Sequence, residues 1–142
     1  MRSAMVLRPE TKARARALQL LYAWEVQGRP AIAQVTRGAL VGRPAWRGPV
    51  EHAERLAEAV AAVVDRLDTE IAELAENWRL ERIGVVEQNV LRIGLYELSS
   101  GTVPPRVAIS EAVRLARWFA GAKAPAFVNG VLDTAARKAG RL

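Results

Sequence analysis

In the run APAFVNGVLDTAARKAG, residues 124–140, the apolar side chains Phe127, Val128, Val131, Leu132, Ala135 and Ala136 recur at steps of three and four. That spacing places them on one face of a helix, whereas a half-buried strand needs strict alternation. The constraint is strong because Asn129-Gly130, a pair that favours a hairpin when strands flank it, sits in the middle of the run. The periodicity overrides the pair and predicts a helix, with Pro125 suited to its first turn. A glycine inside a helix costs up to about 1 kcal/mol against alanine. The expected compensation is close approach of another helix over Gly130, with Asn129 finding hydrogen-bond partners if buried. A packing role for this pair is preferred to a ligand contact.

The same period runs through the rest of the chain, so the fold class is all-α, and the length suits one compact domain or two small bundles sharing an interface. The first helix is expected from about Pro9 to Gln27, stopped by Gly28 and Pro30. Ala17, Leu21 and Trp24 share one face, with Leu18 and Tyr22 beside it; Arg8, Lys12, Arg16 and Gln19 share another. A short helix follows at 31–40, and VGRPAWRGPV (41–50) is a loop. Residues 51–78 are helical throughout, a length that predicts a break near Asp68-Thr69, where either residue suits an N-cap. The segment 84–99 is apolar nearly all round, the mark of a central helix. A turn spans 99–105, and Ala108, Ala112, Leu115, Ala116 and Phe119 define a helix over 105–120, ended by Gly121.

Composition narrows the function. The 142 residues suffice for a core, and there is no cysteine, which excludes disulfides and thiolate metal sites. His52 is the single histidine, too few for a His-based metal site or triad; it reads as an exposed or capping residue. No carboxylate pair with His or Cys support stands out, so no catalytic residue, metal or cofactor is expected. No run approaches the ~18 apolar residues of a membrane span, and the first residues lack the apolar core of a signal peptide. A soluble, cytoplasmic protein is the expectation.

The net charge of +6 is unevenly laid out: residues 1–50 carry +7, 51–102 carry −6 and 103–142 carry +5. Basic ends around an acidic middle suit two kinds of partner, a polyanion and a basic protein. Solvated helix faces would produce the same tally, and charge alone does not choose.

Four segments narrow that choice. ARALQLLYAWE (15–25), VLRIGLYEL (90–98), VPPRVAISEAVRLARWF (103–119) and FVNGVLD (127–133) resemble the NusB family in order and spacing. The resemblance implies two small helical bundles packed together, about seven helices in all, with an N-terminal bundle at about 1–78 and a C-terminal one at 79–142. It implies a transcription antitermination factor, not an enzyme and without a cofactor. Such a protein binds boxA-type single-stranded RNA, pairs with NusE (a small-subunit ribosomal protein) and joins an RNA polymerase antitermination complex that reads through ribosomal RNA operons. A homodimer is compatible with it. The family's RNA-contacting positions match Lys12, Arg14, Arg16, Gln19 and Tyr22 on the first helix, and Lys123 and Phe127 in the loop GAKAPAF before the last one. Cations anchor phosphates and aromatics stack unpaired bases, which fits those residue types, though Tyr22 also suits a core position. This chain departs from the family in Ala124, where a serine is frequent, which weakens a polar contact there. The NusE-facing positions match Glu81 and Glu87. Glu97 and Glu111 match family glutamates too, with structural bonding the expected role.

An alternative in another class is a stand-alone RNA-binding domain related to the one that precedes the catalytic domain of some rRNA cytosine methyltransferases. The chain carries neither a nucleophilic cysteine nor a glycine-rich loop after a strand, so catalysis of that type is not expected. A basic helical DNA-binding protein has only the charge in its favour.

Overall fold

The structure is a computed structural model that describes residues 8–40, 50–76 and 83–142, with side chains 38–40 also left aside. Those residues form seven helices and no strand: α1 (Pro9–Val26), α2 (Ile32–Leu40), α3 (Val50–Ala62), α4 (Val64–Leu74), α5 (Val85–Ser100), α6 (Pro105–Phe119) and α7 (Ala124–Lys138). The expected loop 41–49 and the stretch 77–82 lie outside the described residues.

α1 starts on Pro9, with extended Arg8 before it. It stops where Gly28 and Arg29 both take positive φ, +84° and +60°. The non-glycine residue in that region is held: the Arg29 guanidinium lies 5.1 Å from the Trp24 ring and Nε donates to Glu25 at 3.1 Å. Trp24 Nε1 in turn donates to the Pro30 carbonyl at 2.8 Å, which turns the chain toward α2.

The long helical stretch breaks at Val63, earlier than Asp68-Thr69. Val63 leaves helical geometry (φ −120°, ψ 24°), and α4 restarts at Val64. The two expected capping residues are engaged otherwise. The Asp68 carboxylate accepts from Arg92, and the Thr69 hydroxyl bonds back to the Asp65 carbonyl at 3.0 Å, inside the helix.

α5 is the central helix, as its all-round apolarity predicts. It packs against α1, α3, α4, α6 and α7, and Val90, Leu91, Ile93 and Leu95 are essentially buried. A close approach of helices occurs at Gly94 of α5. A Cβ there would sit 2.6 Å from Leu132 Cδ1 and 3.4 Å from Ala112 Cβ, so glycine lets α5 touch α6 and α7 together. Asn129 and Gly130 do lie inside α7. Asn129 faces solvent, however, and needs no internal partner; the buried stripe is Phe127, Val128, Val131, Leu132, Ala135 and Ala136.

α1 is the less expected finding. It packs against α2, α3, α5 and α6, and Ala13 through Leu18 are all buried, two arginines among them. Burying a charge is tolerable only when it is paired and hydrogen-bonded, and that requirement organises the candidate site.

Candidate nucleic-acid and partner interface

Two ionic clusters tie the helices together. In the first, Arg14 of α1 donates through Nε to Glu97 of α5 at 2.8 and 3.1 Å, and through Nη1 to Glu111 of α6 at 3.1 Å. Thr11 adds its hydroxyl to Glu111 at 2.6 Å. Burial alone lowers the Arg14 pKa, but the two carboxylates outweigh it and the net shift is upward. In the second, Arg92 of α5 holds Asp68 of α4 with both ends of its fork, at 2.7 and 2.8 Å, and reaches Glu25 of α1 and Asn89 through Nη1. Burial raises the carboxyl pKa of Glu25 and Asp68. Hydrogen bonds and charge from Arg92, with Arg29 on both and Gln88 on Asp68, outweigh burial and hold both below their ordinary values. The bidentate fork suits the planar guanidinium, which a lysine could not reproduce.

The first cluster places Arg14 away from the open surface expected of it. Arg14 is 5% exposed and engaged by two carboxylates, so its guanidinium bonds within the protein and is not open to a phosphate in this structure. Glu97 and Glu111 have the structural role expected of them. Arg16 is equally buried; its Nη1 donates to Gln19 at 3.3 Å and supports that amide from beneath. Of the α1 set, Lys12 is exposed, Gln19 half-buried and Tyr22 45% exposed, so the tyrosine is not a core residue. The helical period puts Lys12, Arg16 and Gln19 along one side, Thr11 and Tyr22 together on an adjoining row, and Arg14 beyond them.

At the other candidate surface, Lys123 is exposed at the start of α7, whereas Phe127 is buried and offers no open stacking face. Both line a cavity of about 320 Å³ together with Ile83 and Glu87. The expected RNA loop and one expected partner residue therefore adjoin. Glu87 is also engaged locally, since its Oε2 accepts from the Gly84 N–H at 3.1 Å and so satisfies an orphan donor at the head of α5. Glu81 lies outside the described residues. His52 is exposed on α3. Among the described residues no group of three His, Cys, Asp or Glu is placed to hold a metal ion, and no helix is long and apolar enough to cross a membrane.

Fold and surface together define an all-helical module in which buried Arg14 and Arg92 are paired with carboxylates while Lys12, Lys123 and Tyr22 stand open to a partner, as in a binding protein. The family model described as the NusB family matches residues 11–137. The transcription antitermination protein NusB of an Anaeromyxobacter species is 40% identical over 126 residues, 89% of this chain and 88% of that one. NusB of T. maritima superposes with a TM-score of 0.78 at 27% identity, covering 94% of each chain. A chain in a complex of antitermination factors NusB and NusE with dsRNA gives 0.72 at 27% identity, covering 94% of this chain and 99% of that one. The chain belongs to the NusB family.

Proposed function

We propose that this protein is a transcription antitermination factor that binds RNA together with NusE. The observation that carries the reading is the likeness, over nearly the whole chain, to the NusB partner of a NusB–NusE–RNA complex. Its RNA is a boxA-type single strand on nascent ribosomal RNA, its setting the cytoplasmic RNA polymerase antitermination complex, and its chemistry non-catalytic. Lys12 and Lys123 supply phosphate contacts, and Tyr22, with half its ring open, supplies a stacking face. Gln19, held by Arg16, is a hydrogen-bond donor for a base or sugar. Glu87 and Glu81 present negative charge to NusE, which as a ribosomal protein is basic. Complementary charge of this kind sets encounter and register more than affinity.

The experiment is a titration of labelled boxA-type RNA with and without NusE, against scrambled RNA and duplex RNA. Tighter, sequence-selective binding with NusE present is expected. Changing Lys12 and Lys123 together to alanine should lower the slope of log K against log salt by about 1.4, at about 0.7 per phosphate on a single strand. Glu87→Gln keeps an acceptor for the Gly84 N–H and removes only the charge, so it should slow association with NusE without altering the melting temperature. Equal binding to every polyanion, unaffected by NusE, would refute the reading.

A further inference from the structure

The outer face of α6 carries a cationic surface that the sites above do not use. A cleft of about 720 Å³ lies between the start of α1 and α6, lined by Arg8, Arg106 and Arg114 among others. A second, of about 490 Å³, lies between α6 and α7, lined by Arg106, Arg114, Arg117 and Asn129 among others. The two share Arg106, Ser110 and Arg114, so one furrow crosses α6. Of the three acids that line it, Glu111 holds Thr11 and Arg14, Asp133 accepts from Arg137 at 2.8 Å, and Glu10 is exposed, against the four arginines Arg8, Arg106, Arg114 and Arg117. Arg106 and Arg117 are exposed and have no carboxylate partner among the described residues. From Arg106 to Arg117 the helix rises about 16 Å, room for several backbone phosphates.

Trp118 adds a second kind of contact. It is 41% exposed, one turn beyond Arg114, whose guanidinium lies 5.8 Å from its ring centre. Phe119 meets it edge to face, with centroids 6.3 Å apart, and fixes the indole from the side. A large aromatic left open on a polar helix face does nothing for the core; a free base can stack on it, and a base within a duplex cannot. An acidic peptide would use the arginines but has no need of the flat indole. A strand of unpaired bases uses both.

We propose that the furrow across α6, from Arg106 to Arg117, together with Trp118 beside it under Arg114 as a stacking platform, is a second contact for single-stranded RNA, engaging nucleotides that flank the segment held by Lys12, Tyr22 and Lys123. The proposal rests on the RNA-binding reading above.

The test compares two labelled RNAs on the full chain: a short boxA-type oligonucleotide and the same one extended by unstructured nucleotides. The wild type should bind the long RNA more tightly. Arg106→Ala with Arg117→Ala should lower the salt slope for the long RNA by about 1.4 and leave the short RNA alone. Trp118→Ala should weaken the long RNA about tenfold with its salt slope unchanged. Retained short-RNA binding, with long-RNA binding untouched by either variant, overturns the α6 contact and leaves the main reading standing. No binding of either RNA by the wild type, with or without NusE, removes both. Arginine-dependent capture of a poly-glutamate peptide, with RNA binding indifferent to the same arginines, assigns the face to an acidic protein and overturns the proposal.

Discussion

Arg14→Ala separates two roles that a basic helix can assign to one residue. The guanidinium donates to Glu97 at 2.8 and 3.1 Å and to Glu111 at 3.1 Å, and all three side chains are about a tenth exposed or less. Its removal affects the two carboxylates unequally. Glu111 keeps the Thr11 hydroxyl at 2.6 Å and Arg114 at 3.6 Å. Glu97 loses its only side-chain donor among the described residues. Breaking a buried pair by deleting one partner costs about 3–5 kcal/mol, because a buried charge is left uncompensated. At about 2–4 °C per kcal/mol, the melting temperature should fall by about 6–20 °C. Thermal and urea denaturation followed by circular dichroism measure this directly. Adding Glu97→Gln should recover part of the loss, since the stranded charge goes with it. RNA titration at a temperature where both proteins are folded should show the salt slope unchanged. Stability within about 0.5 kcal/mol of wild type, with a salt slope lowered by about 0.7, would refute the reasoning and return Arg14 to the RNA surface.

The Arg92 cluster should make stability depend on acid pH. Glu25 and Asp68 sit below their ordinary values of 4.5 and 3.8 in the folded protein, so their contribution is complete above that range and is lost as pH falls through the depressed folded values. Arg92→Leu should cost about 2 kcal/mol at neutral pH, less than Arg14→Ala because both carboxylates keep contact with water. The gap to wild type in urea titrations should close below pH 4; a constant gap would contradict the linkage. Gly94→Ala should destabilise by about 1–2 kcal/mol, the overpacking against Leu132 exceeding the gain in helix propensity. A variant as stable as wild type would mean that Leu132 swings aside without loss.

The helices and most of their ends were legible along the chain. Apolar steps of three and four, Pro9, Pro105 and Pro125 at helix starts, and glycines at the stops are local signals, and local geometry obeys them. The resemblance of four segments to one family was legible for the same reason: it is a property of the string. The break of α3–α4 was not. Asp68, where a cap was expected, is held by Arg92, a residue 24 positions away that only the fold brings near.

The site divides along the same line. The sequence alone determined that α1 carries cations at helical spacing and that the chain's ends are basic around an acidic middle. It could not rank the arginines of α1, because a helix buried on nearly every side has no face that hydropathy marks as outer. Only tertiary packing decided that Arg14 turns inward to Glu97 and Glu111, that Lys12 and Tyr22 stay in water, and that Glu25, Asp68, Glu97 and Glu111 answer charges within the protein. It also decided that α6 and α7 touch α5 over Gly94. A side chain's type and spacing follow from covalent order. Whether its charge meets solvent or a carboxylate depends on which distant helix lies across it, and that is settled only when the core closes.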